Sequence, residues 1–260
     1  MIRTWLFAVF CFLALPAAAA PPPSTESLID GLTKLDTPVP GIDGGGMYDA
    51  FMGDDSPPQM VMGLLPAHAP TVPPDMREIV RRGMAAMPAL LSHLDDTRPT
   101  ALLIGDDAKS RIPLFHYYND EYRPRVKPAG PCDKSCYDNG RPFTGPHIVT
   151  VGDVCFVLIG QIVNRPLMAA RYQPTAILFV NSPTQSPELA ARVRADWQGA
   201  TATDLEASLL SDLRTAPIDG MADSALRRLR LYYPQTYAAL TGDDAKKRDA
   251  FEAREKAPHP

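Results

Sequence analysis

The sequence predicts a mainly α-helical protein: short antiparallel helix pairs in an irregular α-solenoid, with one or two short strands and a Pro-rich N-terminal arm. Three observations predict it. Val151, Val154, Cys155, Leu158, Ile159 and Ile162 recur at helical spacing in one strongly apolar segment. Helix-start signals punctuate the second half of the chain, at Thr150-Val-Gly-Asp153, Ser186-Pro187-Glu188 and Pro234. Prolines are concentrated: 11 of the 28 fall between residues 21 and 74, and others such as Pro88, Pro166 and Pro187 stand at helix edges. An interior proline removes a donor and clashes with the preceding turn, so this placement marks where short helices begin and stop.

Taken in order, residues 1–19 read as a signal peptide. Arg3 precedes the apolar run Trp5–Leu15, Pro16 breaks it, and Ala17–Ala19 offers small residues for cleavage near Ala19. The run is too short to span a bilayer, so the mature chain is expected without a membrane span, periplasmic or secreted. Residues 20–74 form the Pro/Gly-rich arm. It holds one short helix, capped at Ser24 or Thr25, with Leu28, Ile29, Leu32 and Leu35 on one face. The helical domain covers 75–242. Its first helix is capped by Asp75 and carries Met76, Ile79, Val80 and Met84. A second starts near Pro88, presents Leu90, Leu91 and Leu94, and closes a tight hairpin.

Thr100–Ile104 reads as a short strand, and residues 105–146 as a loop-rich insertion. The helix opened by Thr150 is apolar nearly all round, which places it at the centre of a core; Asn164-Arg165-Pro166 ends it. Thr175–Val180 reads as a buried strand. Ser186 opens a helix carrying Leu189, Val193 and Trp197, closed by Gly199. Thr203-Asp-Leu-Glu206 has the form of a second capping box, and further helices are expected over 222–232 and from Pro234. The tail 243–260 is charged and helix-prone, with Phe251 as its apolar anchor.

Twenty-six Lys+Arg against 30 Asp+Glu leave a formal charge of -4, so there is no basic footprint for nucleic acid. In an oxidising compartment, Cys132 and Cys136 are expected to form a short structural disulfide, with free thiols the alternative. Cys155, on the apolar helix, reads as a small buried hydrophobe. No four ligands stand at zinc spacing, and there is no H-E-x-x-H, G-x-S-x-G or phosphate loop, so neither metal nor cofactor is expected. The three Gly-Asp-Asp copies, at 53–55, 105–107 and 242–244, read as caps and turns.

The candidate site is the polar set bracketing the apolar helix: Asp153, Gln161, Asn164, Arg165, Arg171, Tyr172, Gln173, Asn181 and Ser182. So many hydrogen-bonding groups beside an apolar core need partners. They either cap and lock turns internally or line a polar pocket, where Arg165 and Arg171 suit carboxylates. Tyr117, Tyr118 and Tyr122 form a second candidate, an aromatic recognition loop whose alternative is packing onto the domain.

The stretch from Arg82 to Asp96, with Gly83, Pro88 and spaced leucines before an acidic turn, resembles the second helix of a HEAT-like repeat. The segment Thr150–Arg165, with Arg171-Tyr-Gln-Pro174 and Asn181-Ser-Pro183, looks like a family of uncharacterised exported bacterial proteins. The resemblance covers roughly residues 78–240. It implies a HEAT-like fold and no particular chemistry, and the 105–146 insertion departs from a clean repeat.

These features point to an exported helical binding or scaffold protein with a protein or peptide partner in the cell envelope. Two alternatives stand beside it: an envelope enzyme, such as a hydrolase, using the 153–182 cluster, and an inhibitor or immunity-type protein acting on an envelope enzyme. The sequence sets no oligomeric state.

Overall fold

The computed structural model describes residues 21–43, 46–56, 59–63, 70–104, 115–117, 142–143, 147–173, 177–215 and 220–257. The leader, Tyr118, Tyr122, Cys132, Cys136 and the Gly-Asp-Asp copy at 105–107 lie outside them.

The chain is mainly helical. Helix α1 (Thr25–Gly31) starts at the Ser24 cap, whose hydroxyl accepts from Ser27 N at 3.1 Å, and runs into a 3-10 turn at Leu32–Lys34. Two short strands, β1 (Ile42–Asp43) and β2 (Gly46–Asp49), precede β3 (Gln59–Gly63). Helix α2 (Pro74–Arg81) follows. Its N-cap is Pro73, and Asp75 lies in the first turn rather than at the cap. The reason is that Pro74 fits the first helical position, where no donor is needed. Gly83 adopts φ +56° and opens a 3-10 turn before α3 (Met87–Ser92). Helices α2 and α3 both pack on α1.

Strand β4 (Pro99–Ile104) runs antiparallel to β7 (His147–Thr150); between them lie β5 (Phe115–Tyr117) and β6 (Pro142–Phe143). At Thr150 the chain turns directly into α4 (Val151–Val163), through both halves of the expected capping box. Asn164 ends α4 in the left-handed region, φ 59°, a conformation Asn tolerates better than most residues.

Strands β8 (Ala170–Gln173) and β9 (Ile177–Val180) form an antiparallel pair at the centre of a mixed five-stranded sheet, ordered β1-β8-β9-β5-β6. The chain therefore holds more strand than the one or two segments its sequence suggests. Two-residue strands such as β1 and β6 are too short to show alternation, and their pairing is decided by distant segments.

Helix α5 (Pro187–Trp197) uses Ser186 as its cap, and Gly199 beyond its end takes φ +79°. Helix α6 (Ala202–Thr215) starts two residues earlier than its expected capping box. The box is Thr201–Asp204: Asp204 N donates to Thr201 Oγ1 (3.2 Å) and Thr201 N to Asp204 Oδ2 (2.9 Å). In the run Thr201-Ala-Thr-Asp204, the helix chooses the Thr whose N3 partner is Asp, a short acceptor that reaches the cap amide. Helix α7 (Met221–Tyr232) packs along α6, followed by α8 (Pro234–Ala238) and α9 (Gly242–Lys256). Phe251, 1% exposed, fastens α9, with the Arg227 and Arg230 guanidinium carbons 5.5 and 5.3 Å from its ring centroid.

Helix α4 is the centre. All its residues but Gln161 are buried, and α2, α3 and α6 pack around it. The described part of the N-terminal arm joins the same core through Ile29, Val39, Ile42, Phe51 and Met52. It is tied down further by Arg77, Arg81 and Arg227, which bind the Gly53–Ser56 turn. Close approach to α4 depends on two glycines. A Cβ at Gly152 would stand 2.6 Å from Leu94 O and from Thr184 Cγ2; one at Gly160 would stand 2.6 Å from Arg165 O. Gly152→Ala must push backbone aside and is expected to lower stability by about 1–3 kcal/mol, measured as a reduced urea midpoint at unchanged m-value.

Candidate functional site

Thirteen helical residues separate the two ends of α4 by about 20 Å. That distance divides the polar set into two clusters.

At the N-terminal end, Asp153 is fully buried. Its Oδ2 accepts from Thr150 N (2.9 Å) and faces His147 Nε2 (3.0 Å); its Oδ1 accepts from Ser182 Oγ (2.5 Å). Ser182 Oγ also lies 2.9 Å from Thr184 Oγ1, which is 3.2 Å from Thr150 Oγ1. A carboxylate here also profits from the positive end of the α4 dipole. The remaining amides of the first turn are used: Val151 N donates to Arg98 O and Gly152 N to Asp96 O. Asn181 is 2% exposed, and its side-chain amide has no hydrogen-bond partner among the described residues.

The C-terminal end is a different cluster. Arg165 Nη1 reaches Asp212 Oδ2 (2.5 Å) and Asn164 O (2.9 Å), and Nη2 reaches Ser208 Oγ (3.2 Å). Asn164 Nδ2 donates to the same Asp212 oxygen (2.9 Å) and to Met221 O (3.3 Å). Gln161 Oε1 accepts from Met52 N (3.0 Å), and Gln161 O accepts from Arg228 Nε (2.7 Å). Arg228 also lies over Phe51, 4.5 Å from the ring centroid. Apart from the local Arg165–Asn164 bond, each hydrogen bond joins this end of α4 to a segment distant in sequence: to the arm, to α6 or to α7.

Arg171, Tyr172 and Gln173 are on β8, where Arg171 pairs through the backbone register with Asp43 and Phe179; Tyr117 is on β5, opposite Val180. Their side chains lie outside the described residues. Asp153 and Ser182 are therefore brought together, as are Asn164 and Arg165, while the two pairs stay at opposite ends of one helix.

Sequence reasoning missed His147, Thr184, Asp212 and Arg228. Two of them had a signal. Asp212 interrupts the apolar stripe Leu205, Leu209, Leu213 of α6, where a carboxylate requires a buried partner. His147 shares the inward period of β7 with Val149. Thr184 and Arg228 stand out by no pattern.

Chemically, the order of the N-terminal groups differs from that of a nucleophilic relay. In a Ser–His–acid relay the imidazole stands between hydroxyl and carboxylate; here the carboxylate stands between Ser182 and His147, and all three are buried. Burial raises the Cys155 thiol far above its ordinary value, which keeps it an inert core residue. Among the described residues no three His, Cys, Asp or Glu are placed to hold a metal ion, and no helix is long and apolar enough to cross a membrane.

A groove of about 330 Å³ lies between α3 and α5, lined by Met84, Met87, Leu91, Arg194, Trp197 and Gln198. Leu103 and Ile148, register partners on β4 and β7, are 38% and 54% exposed.

No family model matches the chain, and neither a curated protein nor a solved structure does. The resemblance carried by residues 82–96 and 150–183 stands on residue pattern alone.

Proposed function

We propose that the chain is an exported helical binding or scaffold module, with HEAT-like pairing of its helices, for a protein or peptide partner in the cell envelope. The observation that carries this reading is the α3–α5 groove. Met84, partly exposed on this concave surface above the buried Met87 and Trp197, suits the side chains of a partner, because Met adapts its shape at low cost. Supporting it, Asp153 and Ser182 at one end of α4, and Asn164 and Arg165 at the other, make internal bonds. The signal peptide expected over residues 1–19 supports a partner in the envelope. A photo-crosslinking residue at Ser92 or Gln198, on the groove, is expected to yield a discrete adduct in cells. The same residue at Lys256, on the distal α9, is expected to yield none. Met84→Glu should weaken capture at least about tenfold, the effect of losing one well-packed contact, compared at equal folded fraction because Met84 also packs partly on the core. Adducts identical at groove and control positions would sink the idea.

The inhibitor or immunity-type reading shares this groove and differs only in whether the captured partner is an enzyme. The enzyme reading has one favourable observation, the 2.5 Å contact of Ser182 with Asp153. It predicts a hydrolytic activity abolished by Ser182→Ala at unchanged stability.

A further inference from the structure

His93 lies at the end of α3 with each ring nitrogen facing a carboxylate. Nδ1 is 2.8 Å from Asp96 Oδ2, and Nε2 is 2.8 Å from Glu26 Oε2 of α1. A neutral imidazole has one N–H and one lone pair, so it can satisfy only one of these contacts and points its lone pair at the other carboxylate. Imidazolium alone donates to both. Side-chain exposures of 23% for His93 and 12% for Asp96 make that pair half-sheltered, whereas Glu26, at 60%, meets the ring from the solvent side.

We propose that His93 is a proton-gated latch on the first helix: as imidazolium it pins α1 to the turn after α3 by bridging Glu26 and Asp96, and as neutral imidazole it releases Glu26.

The surroundings define what the latch controls. Around His93 stand Glu26 and Asp30 of α1 and Asp95, Asp96 and Arg98 of the α3–β4 turn; Arg194 of α5 reaches Asp95 at 2.8 Å. Arg98 is shared between Asp96 and Asp30, so it holds one carboxylate in place for His93 and adds a second α1 contact. Beside Glu26, at the same N-terminal end, α1 is also held by Arg82, which donates to Thr25 Oγ1 and Pro23 O. Leu28 and Ile29 remain buried. Opening the latch therefore loosens α1 without expelling it.

The sign follows from the charges. Burial lowers the His93 pKa, and the hydrogen bonds to Asp96 and Glu26 outweigh it, so the group stands above its ordinary value. Burial works against Asp96 ionisation, but Arg98 and His93 hold that carboxyl down to about 2. The stabilisation is complete below the unfolded imidazole value of about 6.5 and disappears as pH rises through the higher folded value.

The test uses the whole protein. The His93 ring resonance, assigned with His93→Gln, is titrated by NMR, and amide exchange of residues 28–32 is followed from pH 6 to 9 after correction for intrinsic rates. Expected are a His93 pKa above 6.5 and α1 protection that falls about three- to tenfold over that range, while His93→Gln shows low protection at every pH. Glu26→Gln, an exposed and tolerant change, should lower the His93 pKa and flatten the α1 profile. A His93 pKa at or below 6.5, or the same α1 profile in wild type and both variants, would overturn the proposal.

Discussion

Asp212→Ala is expected to lower stability by about 3–5 kcal/mol, the range for removing one partner of a buried ion pair. The side chains of Arg165 and Asp212 are 6% and 10% exposed, so the guanidinium left behind has little water to turn to. Asn164 Nδ2 loses the same oxygen, which weakens the end of α4. The cost should fall when both partners go: Arg165→Met with Asp212→Leu is expected to recover much of it, since a packed apolar pair needs no desolvation of charge. A double-mutant cycle from urea midpoints measures the coupling. Additive losses would show that the two residues do not act as a pair.

Asp153→Ala is the second large effect, expected at about 3 kcal/mol or more. Three groups point at this carboxylate: Thr150 N, His147 Nε2 and Ser182 Oγ. All would lose this buried acceptor, and a group left unpaired costs about 1–3 kcal/mol before relaxation, although Ser182 Oγ keeps Thr184 Oγ1 within reach. The α4 start would lose half of its capping box as well. Thermal unfolding reads the effect. Asp153→Asn, which retains one acceptor oxygen, should lie between wild type and Asp153→Ala. A catalytic Asp153 predicts the reverse pattern, lost activity with stability kept.

Much of the fold is legible in the chain, and the legible parts share one property: short-range physics decides them. Thr150 and Asp153 form their capping box because both partners lie within one turn. Ser186 before Pro187 starts α5, and Asn164 stops α4, for equally local reasons. The α6 box is the instructive failure. Thr201 and Thr203 both offer a hydroxyl, and only the choice of Asp204 over Glu206 as N3 partner separates the two frames. The site was legible as composition and not as arrangement. Nine polar residues are close in sequence, but a helix of thirteen residues holds Asp153 and Arg165 at its two ends. Their partners, Asp212 from α6 and Ser182 after β9, arrive from elsewhere in the chain.

The sequence by itself determined the helical character, the central position of the α4 segment, and most helix starts and stops. Capping and 3.6-residue periodicity act over a few residues and are written in those residues. Tertiary packing is what joined the described part of the Pro-rich arm to the core, assembled five short strands into a sheet ordered β1-β8-β9-β5-β6, and set Asp153 with Ser182 at one end of α4 and Asn164 with Arg165 at the other. Those outcomes depend on which distant groups meet, and for a buried Asp or Arg the partner that meets it decides whether it holds the fold together or is left open to a ligand.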